Sequence, residues 1–342
     1  MISLSEESGN GARAAQMPFI VHDDEVRLAL PSLDIRGALH DMFAALGEGE
    51  AVQPPQTLTL FPKGAGDFIT YLGALAKHEV FGAKLSPYLT QPGAPIVTAW
   101  TTLMSMRTGA PLMWCDSARL TTERTAGTTA LAVERLARQS SERLAIIGSG
   151  SVALAHLRHV APLREWSEIR IYSPRLVSER ASALQAIDAR VRVTASAEEC
   201  VRDADVVMLC TSSGTPVLAL DALTQPALVT SISTNVALAH EIDPAMLSLL
   251  DVYCDYRQTT PSSAGEMVIA RERHGWSPEA VVGDLAELAR GACPAPSHER
   301  SVFFRSIGLG LEDIAVAHAL YVHLVKRRAA ALAVSSAFAG PN

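Results

Sequence analysis

A chain of 342 residues, 48% hydrophobic and 19% charged, exceeds the usual size of one domain and carries enough apolar material for a large core, so two domains are expected. Its formal charge of −7 argues against nucleic acid or an anionic membrane as a partner and leaves small molecules. The five cysteines (Cys115, Cys200, Cys210, Cys254, Cys293) are odd in number and lack CxxC or Cys/His ligand spacing, which speaks against a disulfide framework or a zinc site and for a reducing, cytoplasmic setting.

Residues 1–16, MISLSEESGNGARAAQ, have neither the basic start nor the apolar core of a signal peptide and read as a disordered tail. No apolar run reaches the roughly 20 residues that cross a bilayer, so no membrane partner is expected. Segments 52–62, 68–75, 80–90 and 95–114 are rich in β-branched and aromatic residues and predict an antiparallel sheet. A helix is expected over 122–139.

The texture then changes. In LAIIGSGSVALAHL (144–157) the apolar run Leu144–Ile147 suits a buried parallel strand, and Ser151–Val160 has helical spacing. The turn between them matches GxGxxA. Glycine at Gly148 permits a sharp turn, and glycine at Gly150 lets a pyrophosphate approach the backbone where free N–H groups and the helix dipole favour anions. A strand-turn-helix corner can also recruit glycine for steric reasons alone. Further strands are expected at 168–173, 204–213 and 227–234, so 126–309 reads as a βαβ array.

The strand at 168–173 ends where a ribose would be read, in Ser173-Pro174-Arg175. No carboxylate is there to accept ribose hydroxyls, and one guanidinium could pair with a 2′-phosphate, which favours NADP and leaves NAD possible. Beyond the array, 309–332 has helical spacing and is expected to return to the first domain. The expected class is therefore α/β: a doubly wound Rossmann sheet over 126–309, and a mixed α+β substrate and dimerisation domain built from 17–125 and 310–335.

Two cations stand out. Lys84, in VFGAKLSPY, is either a solvated strand lysine or an inward-facing substrate ligand. Arg124, in LTTERTAGTTAL, sits at the expected helix start, either to bridge a domain interface or to hold a carboxylate.

The strings GAK (82–84), TGAPL (108–112), LTTERTAGTTALA (120–132), LAIIGSGSVA (144–153), ADVVMLCTSS (204–213), GE (265–266), DLAEL (284–288) and FRSIGLGLEDIAVA (304–317), with Asp116, resemble the ornithine cyclodeaminase/mu-crystallin family in order and spacing. The resemblance covers about 50–330. It implies a homodimer with NAD or NADP in an interdomain cleft, and cyclodeaminase, ketimine reductase, alanine dehydrogenase or ligand-binding activity. By position it implies that Lys84 and Arg124 hold the substrate carboxylate, with Asp313 as a third catalytic candidate. It also implies that Thr125 lies near the cofactor and that Gly148, Ser149, Gly150, Ser151, Val152 and Ala153 hold its pyrophosphate. Ser173 and Arg175 would read its ribose end, and Thr211, Ser212, Ser213 and Gly308 its nicotinamide end.

Departures from the pattern sharpen the reading. Gln56 stands where many members carry a further carboxylate-binding arginine; Lys63, Lys77 and His78 are candidate substitutes. Aligning Glu241 and Ile242 places Asn235 where cyclodeaminases carry an aspartate that engages the distal amine. A neutral amide can be neither base nor counter-charge, which disfavours cyclodeamination. Nearby His240 is either structural or a proton donor. The expectation is an NAD(P)H-dependent reductase of a small cyclic or substituted 2-imino carboxylate, such as 1-pyrroline-2-carboxylate or 1-piperideine-2-carboxylate. Ornithine cyclodeaminase, an alanine-type dehydrogenase and a mu-crystallin-like binding protein are the alternatives.

Overall fold

The computed structural model describes residues 17–234 and 238–338. Residues 1–16 and Asn235 lie outside the described residues. In chain order the first part contains β1 (Phe19–Val21), helices α1 (Asp23–Ala29) and α2 (Ile35–Glu48), then β2 (Ala51–Val52), β3 (Thr57–Leu60), β4 (Gly66–Leu75), β5 (Val80–Leu89), β6 (Ile96–Val97), β7 (Trp100–Ser105) and β8 (Pro111–Asp116). These strands form one sheet of order β1-β8-β7-β5-β4-β2, with β3 on β4 and β6 on β5. Every pairing is antiparallel except β1 with β8, which is parallel and departs from the sequence expectation.

Helix α3 spans Ala118–Leu136 rather than 122–139. Asp116 Oδ1 accepts from the Ala118 backbone at 3.1 Å and starts the helix early, because a side-chain acceptor there satisfies a free N–H. Arg124 therefore lies in the second turn, away from the helix N-terminus.

The second sheet follows: β9 (Arg143–Ile147), α4 (Ser151–Val160), β10 (Glu168–Tyr172), α5 (Ser178–Ile187), β11 (Val191–Val193), α6 (Ala197–Val201), β12 (Val206–Leu209), β13 (Leu228–Ser231), β14 (Asp251–Cys254), α7 (Thr260–Ser263), α8 (Gly265–Arg273), β15 (Val281–Asp284), α9 (Leu285–Arg290) and β16 (Val302–Arg305). Its order is β11-β10-β9-β12-β13-β16-β14-β15 and all its pairings are parallel. Every residue of β12 and β13 is buried, as a sheet covered on both faces requires. The order reverses between β9 and β12, and the crevice beyond the carboxyl ends of such strands is where doubly wound sheets bind ligands.

Helix α10 (Gly310–Phe338) leaves the parallel sheet and packs on β4, β5 and β7. Close approach is possible because β4 has a glycine under the helix: a Cβ on Gly73 would lie 2.8 Å from Leu311 Cα. That contact delivers Glu312 and Asp313 to the sheet face that carries Lys84. Among the described residues no helix is long and apolar enough to cross a membrane.

Candidate active site

A cavity of ≈1090 Å³ lies between the two sheets. Its parallel-sheet wall is made by the strand-end turns Gly148–Val152, Tyr172–Arg175, Cys210–Ser213 and Ser306–Gly308, and its opposite wall by Tyr71, Lys84, Ser86, Thr121, Arg124 and Thr125. Thus Lys84, Arg124, Thr125, Gly148, Ser149, Gly150, Ser151, Val152, Ser173, Arg175, Thr211, Ser212, Ser213 and Gly308 all reach one space. Three other candidates do not line it. Ala153 is fully buried inside α4, Asp313 lies behind the two cations, and Gln56 is set back beside Tyr71. Lys63 and Lys77 are exposed in turns, His78 stacks on His318 at 4.4 Å, and none of the three borders the cavity. His240 bonds the Leu238 carbonyl at 2.8 Å and is likewise no part of the wall.

The two glycines of the turn have different reasons to be glycine. Gly148 has φ +129, and a Cβ there would meet the Cys210 carbonyl at 2.3 Å, so the fold itself demands it. Gly150 has ordinary φ, and a Cβ there would meet nothing within 4 Å. Its missing side chain leaves open space in the cavity at the N-terminus of α4, the position where a dinucleotide pyrophosphate is held. The residues present thus fit such a cofactor.

At the ribose end the wall carries Arg175 and also Arg180, from α5, which the sequence did not single out. No aspartate or glutamate is among the described residues lining the cavity.

Four buried charged groups meet at the substrate end. Lys84 Nζ pairs with Asp313 Oδ2 at 2.9 Å and lies 4.0 Å from the Tyr71 ring centroid. Arg124 gives Nε to Asp313 Oδ1 at 3.0 Å and Nη1 to Glu312 Oε2 at 2.9 Å. The guanidinium is therefore fixed by two carboxylates, with Nη2 and one Nη1 hydrogen left for a ligand. Burial pulls the Lys84 ammonium down to about 8 against the pull of Asp313. For Arg124, burial acts the same way, yet Asp313 and Glu312 outweigh it and hold the guanidinium above its ordinary value. Burial raises the Glu312 carboxyl to about 7 and the Tyr71 phenol to about 12.

Two further carboxylates hold the cofactor-side loops. Glu241, fully buried, accepts from Thr211 N and Oγ1, Ser231 Oγ, Ile232 N and Ser233 N, tying the ends of β12 and β13 together. Asp255 accepts from Ser306 Oγ, Ile307 N and Gly308 N, and from Tyr256 N and Thr260 Oγ1. Arg305 pairs with Glu266 at 2.7 Å and donates to the Ser233 carbonyl at 2.6 Å. In the sequence Glu241 is only an alignment landmark and Asp255 an unremarked acid. A carboxylate directly after a strand, as Asp255 follows β14, or in the long connection after one, as Glu241 follows β13, carries no signal of which loop will bond to it.

A doubly wound parallel sheet with a ligand-ready glycine turn at its reversal point, facing a fixed cation pair across one cleft, defines an NAD(P)-dependent oxidoreductase. More particularly, the chain belongs to the ornithine cyclodeaminase/mu-crystallin family, whose model matches residues 18–328. It is 54% identical over 308 residues to an NAD(P)H-dependent anabolic L-arginine dehydrogenase of Pseudomonas aeruginosa, covering 90% of this chain and 98% of that protein. Ketimine reductase mu-crystallin of Macropus fuliginosus is 26% identical over 287 residues, covering 82% of this chain and 87% of that one. The structure of a probable ornithine cyclodeaminase from Bordetella pertussis Tohama I superimposes with a TM-score of 0.82 at 28% identity, covering 92% of this chain and 99% of the other.

Proposed function

We propose that the protein reduces a 2-imino acid to the L-amino acid with NADPH, and that the imine is that of a 2-oxo acid with a long basic side chain of the arginine type. The observation that carries the reading is the buried Lys84 and Arg124 pair facing the glycine turn in one cavity with no carboxylate among its described lining residues. The basic side chain is supported by the 54% identity to the L-arginine dehydrogenase. That identity moves the preferred substrate away from a cyclic imine.

Arg124 would grip the substrate carboxylate by the edge that Glu312 and Asp313 leave open, and Lys84 would hold its second oxygen. Orientation is then the main contribution of these residues, since a carboxylate anchored at two points presents its neighbouring imine carbon in one direction. When bound, the nicotinamide cofactor supplies the hydride. Gly148–Val152 would hold its pyrophosphate, and Arg175 with Arg180 would favour the 2′-phosphate of NADPH.

A cyclic 2-imino carboxylate is the second reading, supported by 25% identity to a Δ1-pyrroline-2-carboxylate reductase of Colwellia psychrerythraea. The test follows nicotinamide absorbance with NADPH or NADH and a panel: basic and small 2-oxo acids with ammonia, cyclic imino acids, and separately ornithine with NAD. Fastest turnover of the basic 2-oxo acid with ammonia is expected. Preferred turnover of the cyclic imine selects the second reading, and conversion of ornithine to proline overturns both.

A further inference from the structure

Of the three buried acids clustered here, Glu312 has the one oxygen with neither a cation nor a backbone N–H against it among the described residues. Asp313 spends Oδ1 on Arg124 Nε and Oδ2 on Lys84. Asp255 has donors on both oxygens, Tyr256 N and Thr260 Oγ1 on one and Ser306 Oγ, Ile307 N and Gly308 N on the other. Glu312 gives Oε2 to Arg124 Nη1, and its Oε1 is buried with no partner among the described residues. The hydroxyl of Thr128, on the α3 turn beyond Arg124, is buried and faces this carboxyl, and as a donor to it favours the ionised form. Thr128 can donate to the ionised oxygen and accept from the protonated one, so its hydroxyl serves either state.

The charge balance decides between the two states. The groups facing Glu312 are Arg124 from α3, Lys84 from β5, Asp313 on its own helix and Asp255 from the segment after β14. Two buried cations already face three carboxyl groups, each of these at most 2% exposed. A substrate carboxylate on Arg124 adds a fourth anion to a region with little water to screen it, and such charges neutralise rather than accumulate. We propose that Glu312 takes up one proton from solvent, on Oε1, when a substrate carboxylate settles on Arg124. It acts through Arg124 as a positioning residue, freeing part of the guanidinium's charge for the incoming anion. The proposal rests on the reading that Arg124 holds a carboxylate.

The raised titration of Glu312, about 7 before binding, sets the window. Binding raises it further, so uptake is small near pH 5.5, where the group is already protonated, and grows through pH 7. Lys84, lowered to about 8, contributes its own uptake only at higher pH.

The test is calorimetric titration of the NADP⁺-saturated protein with 2-oxopentanoate, an anion without a group titrating near neutrality, in buffers of different ionisation enthalpy. At pH 7 the buffer dependence should report uptake of roughly half a proton, falling toward zero near pH 5.5. In Glu312→Gln the heat at pH 7 should become independent of buffer with binding retained. Wild-type heat that does not depend on buffer, uptake that persists in Glu312→Gln, or no binding of the anion would each overturn the proposal. Should the variant not fold, infrared difference spectra of the wild type decide: a protonated-carboxyl band must appear on binding, and its absence counts against the proposal. Failure of the imine-reductase reading shows separately, as absent turnover in the substrate panel.

Discussion

Lys84 and Asp313, from β5 and α10, meet at 2.9 Å with side chains 1% and 2% exposed, and Arg124 closes the arrangement by bonding the other oxygen of Asp313. The two ends of the chain are thereby joined at the point where a substrate would sit. A lysine so buried keeps its charge only with its partner beside it.

From this follows the pH dependence of catalysis. If charged Lys84 holds the substrate carboxylate, kcat/KM should fall as pH rises through about 8, where burial has placed its titration. Arg124→Lys should lose about 2–3 kcal/mol, roughly 30- to 150-fold in kcat/KM, because a point charge cannot replace a planar fork already tied to two carboxylates. Steady-state kinetics across pH check both; near-normal kinetics in Arg124→Lys would return that residue to a purely structural role.

Much of this site is legible in the sequence, and for a physical reason. Leu144–Ile147 and Ser151–Val160 match β9 and α4 almost to the residue, because a short apolar run, a glycine turn and a helical period are local signals. Lys84 and Arg124 stand out because cations in apolar or small-residue settings are costly to bury. What could not be read is how they are paid for. Glu312 lies beside Asp313 in one motif, yet its pairing with Arg124 depends on where α10 lands, and that is set by Gly73 on a distant strand. Arg124's place in its helix also differs from the expectation, since α3 begins at Ala118, whose N–H donates to Asp116 Oδ1 just before the helix.

Cofactor choice is the second testable consequence. Arg175 and Arg180 border the cavity with no acid among its described lining residues, so NADPH should be used in preference to NADH. Either arginine replaced by alanine should erode that preference by about 1–3 kcal/mol, roughly 5- to 150-fold, with little effect on NADH itself. Both groups are exposed, so the smaller end of the range is expected at high salt. Competitive measurement of kcat/KM for the two cofactors decides it, and equal use by the unmodified protein would sink the idea.

The antiparallel sheet makes a third prediction. Leu72, Phe81, Leu85 and Trp114 share its outer face, 37–42% exposed. A contiguous apolar sheet face of this kind marks an association surface, and a second copy of the chain is the expected occupant. Light scattering at micromolar concentration should report a homodimer, and Phe81→Glu should shift it to monomer by placing a charge in a face that must desolvate. A monomeric unmodified protein would remove this expectation.

Two glycines two residues apart should respond in opposite ways, and this separates fold from cofactor binding. Gly148 adopts φ +129 with the Cys210 carbonyl 2.3 Å from any added Cβ, so Gly148→Ala strains the backbone and forces β9 and β12 apart at their ends. It should cost about 1–3 kcal/mol of stability and lower the melting temperature by several degrees even without cofactor. Gly150 has unstrained backbone and open space where its Cβ would go, so Gly150→Ala should melt within about a degree or two of the parent, since nothing in the fold resists the methyl group. Yet that methyl would occupy the space left for the pyrophosphate, and NADPH binding followed by fluorescence should weaken at least about tenfold, the equivalent of one lost hydrogen bond or a forced shift of the phosphate. If Gly150→Ala bound NADPH normally, the glycine turn would be a steric corner and the cofactor would have to be held elsewhere in the cleft.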